Sequence, residues 1–133
     1  MDWNNYESYP ATEVLALAME VPINEADWTM NIFKGWFIPP ATTRYRFYQT
    51  CDDHCSIKLS NVTEDSTQNV TEILYTDTWV DYRDWYSLVR NEPHISEWIS
   101  LTEGLPYYIE GKHYEGGGGD HYTVAVEIEA TAN

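Results

Sequence analysis

The chain has 133 residues, enough for one domain that buries roughly two thirds of its unfolded surface. A hydrophobic content of 43% and an aromatic content of 15%, with six Trp and eleven Tyr, exclude a disordered segment. Twenty-two acids against seven bases give a formal net charge of −15. That balance excludes the basic patch a nucleic-acid partner needs and disfavours anionic membrane surfaces.

No apolar run approaches the ~20 residues of a membrane span. Met1 is followed by Asp-Trp-Asn-Asn, which lacks the basic and apolar regions of a signal peptide, and the sequence reads as part of a longer protein. Residues 1–12 are irregular, with Trp3 and Tyr6 available for packing. Glu13 to Val21 fits a strand or a short helix, because Leu15 to Met19 leave the periodicity ambiguous. Trp28 to Ile38 is β-rich and stops at Pro39-Pro40. Thr43 to Thr50 alternates, with Tyr45 and Phe47 on one face and Arg44, Arg46 and Tyr48 on the other. Ser56 to Ser60 alternates again through Ile57 and Leu59, so Cys51 to Cys55 reads as the connection of a hairpin.

Residues 61–70 are polar and read as an exposed loop; Glu72 to Thr76 is a short strand. Asp77 to Pro93, rich in Trp, Tyr and charge, reads as a long loop with one helical turn near Asp81 to Tyr86. His94 to Leu101 and Pro106 to Tyr114 are strands separated by a turn at Glu103-Gly104. Gly116 to Gly119 is a four-glycine run. Tyr122 to Glu129 alternates strictly, with Val124, Val126 and Ile128 inward and Thr123, Ala125 and Glu127 outward. About eight short strands at this spacing predict one all-β domain, a sandwich or a barrel.

The string Cys51-Asp52-Asp53-His54-Cys55 carries the chemistry. Neighbouring side chains of an extended strand point to opposite faces, so Asp52 and Asp53 converge only if the backbone bends sharply or the peptide between them is cis. Such strain persists at ligand sites, and paired carboxylates suit a hard cation such as Ca²⁺. The bland reading is an Asx-type turn. Cys-x₃-Cys lacks the further ligands of a zinc site, and a disulfide that shapes the acidic turn is preferred over two reduced thiols. The sequons Asn61-Val62-Thr63 and Asn69-Val70-Thr71 add to the case for an extracellular or cell-surface protein, with Asn61 and Asn69 as glycosylation positions. The four histidines share no metal spacing and read as structural or surface residues. Lys34, Arg83 and Arg90 read as members of exposed ion pairs.

Two blocks resemble a known family. Gly35-Trp36-Phe37-Ile38-Pro39-Pro40, Arg44-Tyr45-Arg46-Phe47 and the acidic pair are similar to the opening of the protective-antigen (PA-14) domain family. Leu105-Pro106-Tyr107-Tyr108-Ile109-Glu110, followed by Tyr114-Glu115-Gly116-Gly117-Gly118-Gly119-Asp120-His121, resembles its second block, most like the fibrocystin-L-type and bacterial adhesin subgroup. The likeness covers residues 27–129, leaving 1–26 as an N-terminal extension. It implies an antiparallel β-sandwich with long loops at one end. It also implies Ca²⁺ held by Asp52 and Asp53, with Asp120 and backbone oxygens near Gly118 and Gly119, and sugar hydroxyls bound on that ion. The two cysteines and His54 depart from the family pattern, and an imidazole there stands to crowd a sugar.

Trp79 and Trp85 are candidate sugar platforms, with core and edge packing as the alternative. No nucleophile triad or phosphate loop is legible, which argues against an enzyme. The expected function is a calcium-dependent, lectin-like module that binds glycans. The alternative is an adhesive module contacting neighbouring extracellular domains, with calcium structural or absent.

Overall fold

The computed structural model of the chain describes residues 19–21, 29–52, 54–60, 70–77, 83, 85, 94–115 and 121–130. They form eight strands: β1 Glu20–Val21, β2 Thr29–Phe37, β3 Thr43–Asp52, β4 His54–Ser60, β5 Val70–Thr76, β6 Ile99–Leu101, β7 Tyr107–Glu115 and β8 His121–Ile128. One sheet has the order β1-β8-β3-β6 and the other β2-β7-β4-β5, with every pairing antiparallel. This is the expected β-sandwich. Among the described residues no helix is long and apolar enough to cross a membrane. The strand expected over His94 to Leu101 is shorter: its first part makes a single bridge from Ile95 to Tyr48 before β6 begins.

Alternation decides which side chains enter the space between the sheets. Tyr45 and Phe47 of β3 are 0 and 1% exposed and meet Ile57 and Leu59 of β4, Leu74 of β5, Leu101 of β6, and Tyr107 and Ile109 of β7. Phe37 of β2 packs edge-on against Tyr45 and Phe47, at centroid separations of 5.4 and 5.5 Å. Val124 packs against this core. Val126 and Ile128 do not meet the expectation of burial. They lie opposite Phe47 and Tyr45 in the ladder, yet are 40 and 47% exposed. Among the described residues β1 runs beside β8 only at Tyr122 and Thr123, with one further bond from Val124 N to Met19 O. Among the described residues the far half of β8 has no strand beside it on that side.

Gly111 of β7 faces side chains of the opposite layer at close range. A Cβ added there meets the Tyr122 hydroxyl and Met19 Cε at 2.5 Å. Met19 can swing away, whereas Tyr122 is fully buried and stacked on His113. Gly111→Ala is expected to cost about 1–3 kcal/mol, the usual penalty of overpacking, in a urea unfolding curve. The cost falls in a Tyr122→Phe background, where the clashing oxygen is gone; a strictly additive double mutant would contradict the contact.

The outward face of β3 and β8 carries paired charge. Arg44 makes a two-pronged contact with Glu129, and Arg46 Nη2 lies 2.6 Å from Glu127 Oε1. The Arg46 guanidinium also lies 4.4 Å from the Trp98 ring centre. Hydrogen bonds from the Tyr48 hydroxyl and from Arg46 hold the Glu127 carboxyl below its ordinary value of 4.5. A depressed folded value means that this stabilisation is complete above 4.5 and disappears as pH falls through the lower, folded value. Wild type should therefore melt above Glu127→Gln at neutral pH, and the gap should close in acid. Relief of the net negative charge acts on both proteins alike, so it cancels in the difference. A gap independent of pH would refute the pairing.

Candidate functional site at the corner between the sheets

β3 and β4 belong to different sheets, with one residue between them. The expected hairpin at Cys51 to Cys55 is therefore corrected to an arch, in which the chain leaves one layer and enters the other. Alternation gives the face of a strand but not its partner, and a two-strand hairpin needs at least two loop residues. Cys51 and Cys55 are disulfide-bonded, as expected, with Cα atoms 6.3 Å apart and both residues fully buried. Closing so short a loop contributes roughly 2 kcal/mol by chain entropy. Its larger consequence is that the bond ties one sheet to the other beside the bend.

The ladder places a second cross-sheet link next to the bond. Cys51 pairs with Tyr122 on β8, and Cys55 pairs with His113 on β7. The rings of Tyr122 and His113 stack across the layers, 5.5 Å apart and 4° from parallel. Phe33 of β2 closes on Tyr122 at 5.8 Å. Around these rings the interior is polar. Gln49 Nε2 donates to Cys55 O at 3.2 Å and to Thr76 Oγ1 at 3.0 Å. The Tyr122 hydroxyl donates to Ser56 O at 3.3 Å, and burial pushes that phenol far above its ordinary range. His113 Nε2 lies 2.6 Å from the carbonyl oxygen of Asp52.

Of the expected metal ligands, Asp52 is half-buried at the end of β3. Asp53, Gly118, Gly119 and Asp120 lie outside the described residues, as do Trp79, Asn61 and Asn69. Among the described residues no three His, Cys, Asp or Glu side chains gather as a metal group. The strand ends that flank these positions are nevertheless neighbours. Asp52 pairs with His121, and His54 pairs with Tyr114. The two ends bordering residue 53 thus lie beside the strand ends bordering residues 116–120. Of the carboxylate and carbonyl oxygens that calcium takes as donors, the described residues at this corner present the Asp52 carboxylate.

His54 is turned onto the outer face of β4. It stacks on Tyr114 at 4.9 Å and 19°, and its Nδ1 lies 3.5 Å from Asp77 Oδ1. Trp85 is half-buried and meets the edge of Tyr48 at 6.2 Å, on the outer face of β3. Arg83 beside it has φ 58°, donates from its backbone to Thr50 Oγ1, and pairs with Glu20 at 2.8 Å as an exposed ion pair. The sequence reading missed His113. Its signal was the alternation Tyr107, Ile109, Gly111, His113, which carries the inward set onto a histidine.

No family model matches the sequence, and no curated protein matches it. A solved structure with this fold is the A domain of epithelial adhesin 6 from Candida glabrata, in complex with Galβ1-3GlcNAc. The two share a TM-score of 0.55 and 16% identity over 78% of this chain. The match spans 45% of that chain, less than half its length. At that identity the likeness is one of fold: the chain is an antiparallel β-sandwich of the kind seen in that adhesin domain.

Proposed function

We propose that the chain is a PA-14-like, calcium-dependent glycan-binding module of a longer extracellular or cell-surface protein, and not an enzyme. The observation that carries this reading is the pairing of the strand ends, Asp52 with His121 and His54 with Tyr114. It brings the borders of the acidic pair and of the glycine-Asp segment to one corner of the sandwich. The fold shared with an adhesin domain solved with a disaccharide supports the same reading.

Asp52, Asp53 and Asp120, with carbonyl oxygens near Gly118 and Gly119, would hold the ion. Bound there, Ca²⁺ supplies open coordination positions that two sugar hydroxyls fill. The chain's own work is to hold the donors ready, because rigid presentation lowers the cost of ordering on binding. The disulfide fixes the separation of β3 and β4 at the bend. His54 rests on Tyr114 and lies 3.5 Å from Asp77, contacts that would hold its imidazole on the outer face of β4. Trp79 and Trp85 belong to the segment that would shape selectivity.

A glycan array probed with calcium, and again with a chelator, tests the proposal. Binding is expected only with calcium. No binding with calcium present would reject glycans as the ligand and leave protein contacts between neighbouring domains as the use of this corner.

A further inference from the structure

His113 is fully buried, and Asp52, Asn31 and Tyr122 are among its neighbours. Its Nε2 lies 2.6 Å from the Asp52 carbonyl oxygen, which only accepts a hydrogen bond. The proton of a neutral ring must therefore sit on Nε2. Nδ1 then carries a lone pair, and it lies 3.2 Å from Nδ2 of Asn31, an amide nitrogen that only donates. Asn31 stands directly opposite His113 in the β2–β7 ladder, so the strand register presents that donor. Tyr122 stacks on the ring face and removes its freedom to rotate. Ring position, tautomer and the direction of one N–H are all set from outside the bend.

We propose that His113 is the positioning residue of the corner. Its Nε2–H holds the Asp52 carbonyl at the end of β3, without touching the ligand itself. The inference rests on reading Asp52 and Asp53 as the site. A lysine at this position would bury an unpaired charge, and an apolar residue would leave the carbonyl without this donor. Asn31 serves at one remove by excluding the other tautomer. The disulfide and the imidazole then act together at the end of β3: the bond sets how far apart the strands lie, the imidazole sets the direction of the Asp52 carbonyl.

Long-range ¹H–¹⁵N correlation on the metal-free protein reads the tautomer directly. A proton on Nε2 is expected, and a ring protonated on Nδ1 alone would overturn the proposal. Calcium titration by calorimetry then compares three proteins. H113Q keeps an amide N–H near the position of Nε2, whereas H113F keeps the ring and its stack on Tyr122 but has no donor. H113F should bind calcium about tenfold more weakly, the usual worth of one hydrogen bond, and H113Q should recover most of that loss. Equal calcium binding by wild type and H113F, or equal losses in H113F and H113Q, would overturn the positioning role. If H113F does not fold, the tautomer and H113Q decide. A wild type that binds no calcium would sink the reading of the acids as a metal site, while the tautomer would still decide whether His113 holds the bend.

Discussion

Tyr122→Ala should lower stability by about 3–5 kcal/mol, the range for emptying a large buried aromatic site. The loss is a sizeable part of the 5–15 kcal/mol that holds an ordinary domain. The ring is fully buried, stacked on His113, closed by Phe33 and seated over Gly111. A cavity there has little room to relax. Cys51 beside it is tied to the opposite sheet, and His113 is held by Asn31 and the Asp52 carbonyl. Tyr122→Phe provides the contrast. It removes only a hydroxyl that donates to Ser56 O at 3.3 Å, near the limit of a useful bond, so less than about 1 kcal/mol should be lost. Urea unfolding with an unchanged slope measures both. An alanine variant as stable as the phenylalanine variant would mean that the ring stack does not link the sheets.

The sequence predicted faces better than partners. Tyr45 and Phe47 alternate with Arg44 and Arg46, and the structure puts the first pair in the core and the second outside. A period of two says nothing about which strand lies alongside. The five residues from Cys51 to Cys55 therefore read as a hairpin, although they cross from one sheet to the other. Burial was overestimated at Val126 and Ile128 for a related reason: a strand keeps its alternation past the point where the opposing layer covers it. The corner was half legible. Two adjacent acids between cysteines announce special chemistry on their own. That Asp52 lies beside His121, directly after Asp120, follows only from the β3–β8 ladder, which joins residues remote in sequence. His113 was passed over because the four histidines share no metal spacing, and flanking Lys112 and Tyr114 give no sign of burial. Yet Lys112 is itself 2% exposed, since β7 is an inner strand paired on both sides.

Calcium at a hundredfold excess over its Kd should raise wild-type stability by about 2.7 kcal/mol, and Asp53→Ala should abolish the gain. The control matters, because a chain of net charge −15 gains from any divalent cation that screens its self-repulsion. Screening does not depend on one carboxylate, so it would persist in Asp53→Ala. Nor does it require calcium. Magnesium screens equally well, but demands near-octahedral geometry at about 2.0–2.1 Å and gives up its water reluctantly, so it should reproduce the screening part alone. The specific gain is the calcium shift minus the magnesium shift in wild type, and it should vanish in the variant. Glycan affinity should fall with it, because the sugar hydroxyls have no other strong anchor in this reading. A calcium shift equal to the magnesium shift in wild type, or an excess of calcium over magnesium that survives in Asp53→Ala, would remove the ion from the corner. Glycan binding that survived chelation would move the ligand to the aromatic surfaces instead. Tyr122→Ala separates the scaffold from the donors. The disulfide still joins the two strands in that protein, so whatever fraction remains folded at low temperature should keep a calcium response, weakened because His113 has lost its stack, where Asp53→Ala keeps none.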